Sequence, residues 1–192
     1  MNSREHSSEA NHPWTEADWE RFIREQEPAA SRRAAESDGD TAAARELGFS
    51  TPPKVGGSLG DEPGAGIRSI AAFRLASELV HSLTRLREAG RPVSLDERWE
   101  ELTTAAHRTV EQIASGHGIG YEDDHICGNI VQCRRGLRHL EQGLRILQRM
   151  RASRNDLELD QLYGSAVFAR AALQERITAL RTRVWWDDRA AS

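Results

Sequence analysis

Lysine is almost absent from this 192-residue chain: Lys54 is the only one among 26 basic residues. So strong an arginine bias reports a GC-rich, bacterial-like coding sequence rather than an activity. Cysteine is scarce as well, with only Cys127 and Cys133. On one helix, their offset of six turns the side chains about 120° apart, so they cannot bridge each other. That excludes a disulfide-stapled framework, and two free thiols point to a cytoplasmic setting. Aromatic residues reach 6% and hydrophobic residues 38%, the latter below the usual share for a compact domain. The deficit falls mainly in the first 66 residues, so the remainder can still bury a core. There is no run of 18 apolar residues and no apolar signal region near the N-terminus, which argues against a membrane span or export. Period-2 alternation is missing too, and with it the signature of a half-buried strand.

A formal net charge of −4 conceals a sharp division. Residues 1–50 hold 6 arginines and 11 acids, a balance of −5, whereas residues 131–154 hold 7 arginines and one glutamate, a balance of +6. Arg134, Arg135, Arg138, Arg145, Arg149 and Arg151 decorate one helical stretch with no interleaved aromatics. Without a recognisable nucleic-acid module, that pattern argues against DNA or RNA as partner. It reads as a solvated face, as one paired with the acidic N-terminal segment, or as the contact for an acidic protein partner.

Along the chain, residues 1–13 read as a disordered tail and 14–48 as an acidic helical arm. Thr15 is a good N-cap, with Trp14 and Trp19 spaced as a hydrophobic staple. A helix over 15–26 follows, interrupted or kinked at Pro28 with a further turn through Ala35, and a shorter one covers 41–47. Residues 49–66 are rich in Pro and Gly and read as a linker. Residues 67–186 carry four helical patterns, over 67–89, 95–115, 122–152 and 156–186, before a tail at 187–192. Gly90 ends the first, Ser94 and Glu97 form a capping box for the second, and Asn155 or Asp156 caps the fourth. The third shows an unbroken 4-3-4-3 spacing from Ile126 to Leu147. The short connections predict an all-α, antiparallel up-down-up-down four-helix bundle. Gly136 and Gly143, one heptad apart, predict a close helix approach, with the small face of Ser165, Ala169 and Ala172 as its match.

The densest group of special residues is Gly116-His117-Gly118-Ile119-Gly120-Tyr121-Glu122-Asp123-Asp124-His125. As architecture, Gly116 ends one helix and the acids favour the start of the next. As chemistry, His117, Glu122, Asp123, Asp124 and His125 are the candidate ligands for a divalent metal. Carboxylates alone suit Mg²⁺ or Ca²⁺, and added imidazoles suit Zn²⁺, Mn²⁺ or Fe²⁺. The Glu-x-x-His pair occurs once, not on two helices as a di-iron bundle requires, and no CxxC or HExxH is present. Glu97, Glu100 and Glu101 add acids, but the length of a helix separates them from this turn by roughly 25–30 Å. His107 is placed beside Asn129 and Cys133 as a polar pair fixing register. Trp185 and Trp186 cannot both face one core, so either one covers the Trp14–Trp19 staple or both form an apolar contact patch.

No catalytic constellation is complete, and the reading leans away from an enzyme. It favours a non-catalytic helical bundle acting through protein–protein interaction, with another protein or as a homodimer. The alternative is a metal- or small-ligand-binding bundle, a hydrolase among its options, centred on Gly116–His125. No other cofactor is implied.

Overall fold

The computed structural model describes residues 13–36 and 66–186. All regular structure among them is helical: α1 (Glu16–Glu36), α2 (Ala71–Glu88), α3 (Trp99–Ile119), α4 (Asp123–Ser153) and α5 (Leu157–Arg181), with short 3-10 turns at Ile67–Ser69 and Pro92–Leu95. No described helix is long and apolar enough to cross a membrane. The helix expected over 41–47, the linker before Gly66 and the tails at 1–12 and 187–192 lie outside the described residues.

Each boundary has a local cause. Gly90 adopts φ +62°; its amide donates to the Arg87 carbonyl and that of Arg91 to Leu86. This paired closure satisfies the last carbonyls of α2 and needs a residue that tolerates positive φ. The expected Ser94–Glu97 capping box does not form. The Ser94 hydroxyl donates to the Arg91 carbonyl, and residues 92–95 tighten into a 3-10 turn, so α3 begins at Trp99 rather than 95. Buried Asp96 takes over at that junction, accepting from the Arg98 amide at 3.0 Å and its guanidinium at 2.8 and 2.9 Å. Those bonds, led by the one from the Arg98 side chain, hold its carboxyl below the ordinary range. Asp156 caps α5 by accepting from the Glu158 amide at 2.8 Å. The arm helix runs on through Pro28 to Glu36 as one element rather than an interrupted one. Proline withholds one amide from the backbone ladder, a loss this helix bears without ending.

Two apolar clusters form the core. One gathers Leu83, Val93, Trp99, Leu102, Leu147, Met150, Leu159 and Leu162, from the end of α2, the start of α3, the end of α4 and the start of α5. The other gathers Ala72, Ala76, Ile113, Ile126, Ile130, Leu173, Ile177 and Leu180, from the opposite end of each helix. Consecutive helices thus alternate ends between the two clusters. Each buried Leu or Ile adds about 1.5–3 kcal/mol of transfer free energy. α1 lies against α4.

The closest packing joins α3 and α4 along a line of small and polar residues one heptad apart. Asn129 donates to the Gly120 carbonyl at 3.0 Å. At Gly136 an added Cβ would stand 3.3 Å from the Thr109 carbonyl, and at Gly143 it would make ordinary contact, 3.6 Å from Leu102. The facing helix is therefore α3, not the small face of α5. The Thr109 hydroxyl, fully buried, bonds the Ala105 carbonyl at 2.9 Å and reaches the Gly136 carbonyl at 3.4 Å.

Gly116 does not end its helix as expected. It lies inside α3 against Asn129, and Gly120, at φ +119°, makes the turn. Two alanine substitutions two residues apart should therefore act in opposite directions. In Gly116→Ala the new Cβ would stand 2.9 Å from Asn129 Oδ1 and 3.0 Å from its carbonyl oxygen. Overpacking there should outweigh the gain in helix propensity and cost about 1–2 kcal/mol. In Gly118→Ala the Cβ meets nothing within 4 Å, and stability should rise by up to about 1 kcal/mol. Thermal denaturation reads both, and equal melting points would refute the close approach.

Candidate functional site

The arm carries its own start signal. The Thr15 hydroxyl accepts from the Asp18 amide at 3.3 Å. The Asp18 carboxylate in turn accepts from the Thr15 amide at 3.2 Å and its hydroxyl at 2.7 Å. This reciprocal box satisfies donors that a helix start leaves open. Trp14 and Trp19 meet edge-on with centroids 5.3 Å apart, and Phe22 completes the cluster at 5.5 and 5.8 Å. The expected cap and staple are both in place.

That small unit docks on α4 and α5. Trp19 lies over Gly128, where an added Cβ would come 2.7 Å from the indole Cδ2 and 3.0 Å from Ile119 Cγ2. Only glycine leaves room for the ring. Beside this notch, the largely buried Glu16 carboxylate accepts from Arg134 Nη1 of α4 at 2.7 Å. It also accepts from Arg181 Nε and Nη2 of α5 at 2.8 and 3.0 Å. Two-toothed pairing of that kind is stronger and more directional than a single contact. One turn on, Glu20 lies 3.3 Å from Arg135 and 3.6 Å from Arg138. Of the basic face read from the sequence, Arg134, Arg135 and Arg138 are thus paired with the acidic arm, while Arg151 pairs with Asp160 of α5.

Burial alone would push the Glu16 carboxyl up, but its hydrogen bonds to Arg181 and Arg134, with their charges, outweigh it and hold it below 4.5. Between arm and bundle an open cleft of about 910 Å³ remains, lined by Thr15, Glu16, Asp18, Glu20, Arg21, Arg24, Arg134, Arg138 and Arg181 among others.

The residues proposed as metal ligands divide. His125 Nδ1 lies 3.9 Å from Glu122 Oε2, both well exposed, and Asp123 is exposed beside them. His117 turns elsewhere: its Nδ1 is 2.6 Å from the Tyr121 hydroxyl. Asp124 belongs to the first turn of α4, and its side chain is outside the described set. Among the described residues no three His, Cys, Asp or Glu side chains are grouped to hold an ion.

Around Tyr121 a different set has assembled. Arg176 of α5 donates to the Tyr121 hydroxyl at 2.8 Å, and Arg183 donates to the Tyr121 carbonyl at 2.9 Å. A guanidinium can only donate, so the phenol accepts from it and its own proton is left for His117 Nδ1. Burial, aided by the Arg176 charge, lowers the His117 pKa, which matches an accepting, neutral imidazole. Cys133, within reach of Asn129 Oδ1 at 3.5 Å, has its thiol pushed up by burial, with Arg176 pulling the other way. It remains a protonated thiol rather than a nucleophile. His107 is exposed while Asn129 is buried, so the expected His107–Asn129 pair does not form; Asn129 bonds Gly120 instead. Trp186 is buried at 9% and Trp185 is 77% exposed, the division expected of adjacent residues.

Gly128, Arg176 and Arg181 were not singled out by the sequence. Gly128 could have been found as a further glycine on the helix of Gly136 and Gly143. The two arginines carry no local signal. Comparison with protein-family models, curated proteins and solved structures finds no match.

Acid should release the arm. Because docking holds Glu16 below its ordinary pKa of 4.5, the stabilisation is complete above that value and is lost as pH falls through the lowered one. With 5-fluorotryptophan incorporated, the ¹⁹F resonance of Trp19 should move to its solvent-exposed position in that acid range. Trp99, 2% exposed in the core, should stay put. A Trp19 signal unchanged until the whole protein unfolds would overturn this assignment.

Proposed function

We propose that this chain is an up-down-up-down antiparallel four-helix bundle that acts by binding another protein, without catalysis, through the surface α1 covers. The observation that carries the reading is the way α1 sits: Glu16 held between Arg134 and Arg181, with Trp19 in the Gly128 notch. A charged anchor beside an aromatic one in a shaped recess is how protein interfaces concentrate their binding energy. The alternation of helix ends between two clusters supports the bundle topology. The buried thiols of Cys127 and Cys133, not joined in a disulfide, support a cytoplasmic location. The exposed Trp185 offers a second apolar contact, as a homodimer would use.

Capture from the source cells with three full-length baits tests this. Glu16→Ala/Trp19→Ala should retain a protein that wild type retains weakly, and adding Arg134→Glu should abolish the capture. No Arg134-dependent capture by any bait would refute the reading.

A second reading, a divalent-metal site at the start of α4, rests on the exposed Glu122–His125 pair. Elemental analysis of tag-free protein, with melting curves with and without chelator, tests it. Near-stoichiometric metal and a lowered melting point in chelator would support the site, and a metal-free protein with an unchanged melt would dismiss it.

A further inference from the structure

The strength of α1's hold indicates what the partner is made of. Its shortest polar contacts are those of Glu16; across the same interface Glu20 lies farther off, 3.3 Å from Arg135 and 3.6 Å from Arg138. The Arg138 side chain is half-exposed, and an ion pair of that length near solvent contributes about 0–1 kcal/mol and weakens with salt. Trp14 and Phe22 remain 45% and 40% exposed, so most of the aromatic cluster is not used against the bundle. The side chains of Arg134 and Arg138 are 44% and 56% exposed and border the open cleft. The face therefore has a basic surface that α1 only partly covers, next to a notch cut for one aromatic ring.

Building on the interaction reading, we propose that the partner is an acidic amphipathic helix of another protein. It presents a carboxylate to Arg134 and Arg181 and, three residues on, an aromatic ring to Gly128, and α1 is its built-in competitor. The recognition element is the one α1 displays, Glu16-x-x-Trp19-Glu20. Charge complementarity selects the acids, since cations from two helices converge where Glu16 sits. The missing Cβ at Gly128 selects the flat ring, and the three-residue spacing sets both on one helix face. A smaller anion could satisfy the arginines but would leave the notch empty. Covalent attachment makes α1 an intramolecular competitor, so a separate helix succeeds only by binding more tightly or once α1 is lifted.

The probe is a fluorescein-labelled, N-acetylated peptide of residues 13–26, titrated by anisotropy into full-length protein. Glu16→Ala/Trp19→Ala should bind it, and wild type should bind about tenfold more weakly or worse, because its own arm competes. Adding Arg134→Glu, or in a separate protein the more exposed Arg138→Glu, should weaken binding to the variant, with thermal melts confirming an intact bundle. A peptide with both glutamates as glutamine should lose most of its affinity. Equal binding by wild type and variant, no binding by the variant, or equal binding of the glutamine peptide would overturn the proposal. Tripolyphosphate binding as tightly as the peptide would also overturn it, in favour of a small anion. Exchange of arms between two differently labelled wild-type copies would assign the face to a second copy instead. If the peptide fails while Arg134-dependent capture persists, the partner has other chemistry and the interaction reading stands; if both fail, both are wrong.

Discussion

The close approach of α3 and α4 underlies everything else in this molecule, and the buried amide of Asn129 holds it. That side chain donates to the Gly120 carbonyl and packs against Gly116, where a Cβ would come within 2.9 Å. A buried polar group left unbonded costs about 1–3 kcal/mol, so the turn that satisfies Asn129 is selected over its neighbours. With the turn fixed, Tyr121 is directed inward to receive Arg176 and His117. Ile119 is set beside Gly128, and together they form the recess for Trp19. The arm is thus docked on a feature created two helices away from it in the chain.

What was legible in the sequence was what arises from neighbours along the chain. The staple of Trp14 on Trp19, the Thr15 cap, the stop at Gly90 and the Asp156 cap are settled within five residues of each other. The apolar seam of α4 was legible because the 3.6-residue period is itself a local rule. The pairing of the arm with the basic helix was one of several readings, and opposite charge alone could not choose between them.

The rest depends on contacts that the linear order does not carry. Three glycines alternate at 116, 118 and 120, and each could have been the turn. Only the position of Asn129 across the interface makes Gly120 the one with positive φ and leaves Gly116 helical. Gly128 is one glycine among 15 until a ring from another helix is laid on it. Arg181 gives no sign on α5 that it shares a carboxylate with Arg134, some 47 residues earlier. Of the candidate ligands, His117 was lost because Tyr121, four residues on, lies within its reach once α3 extends to Ile119.

A docking face whose cations are all arginine has a consequence for how it can be controlled. Every cation set against the arm, Arg134, Arg135, Arg138 and Arg181, is an arginine, whose planar fork can meet a carboxylate at two points where a lysine offers one. Acetylation, which neutralises lysines, has no substrate among them. Lysine modification therefore cannot reach the basic half of this contact, whereas protonation of Glu16 acts on its acidic half. Lysine-directed enzymes leave it alone, while salt, acid or a better acidic surface can open it.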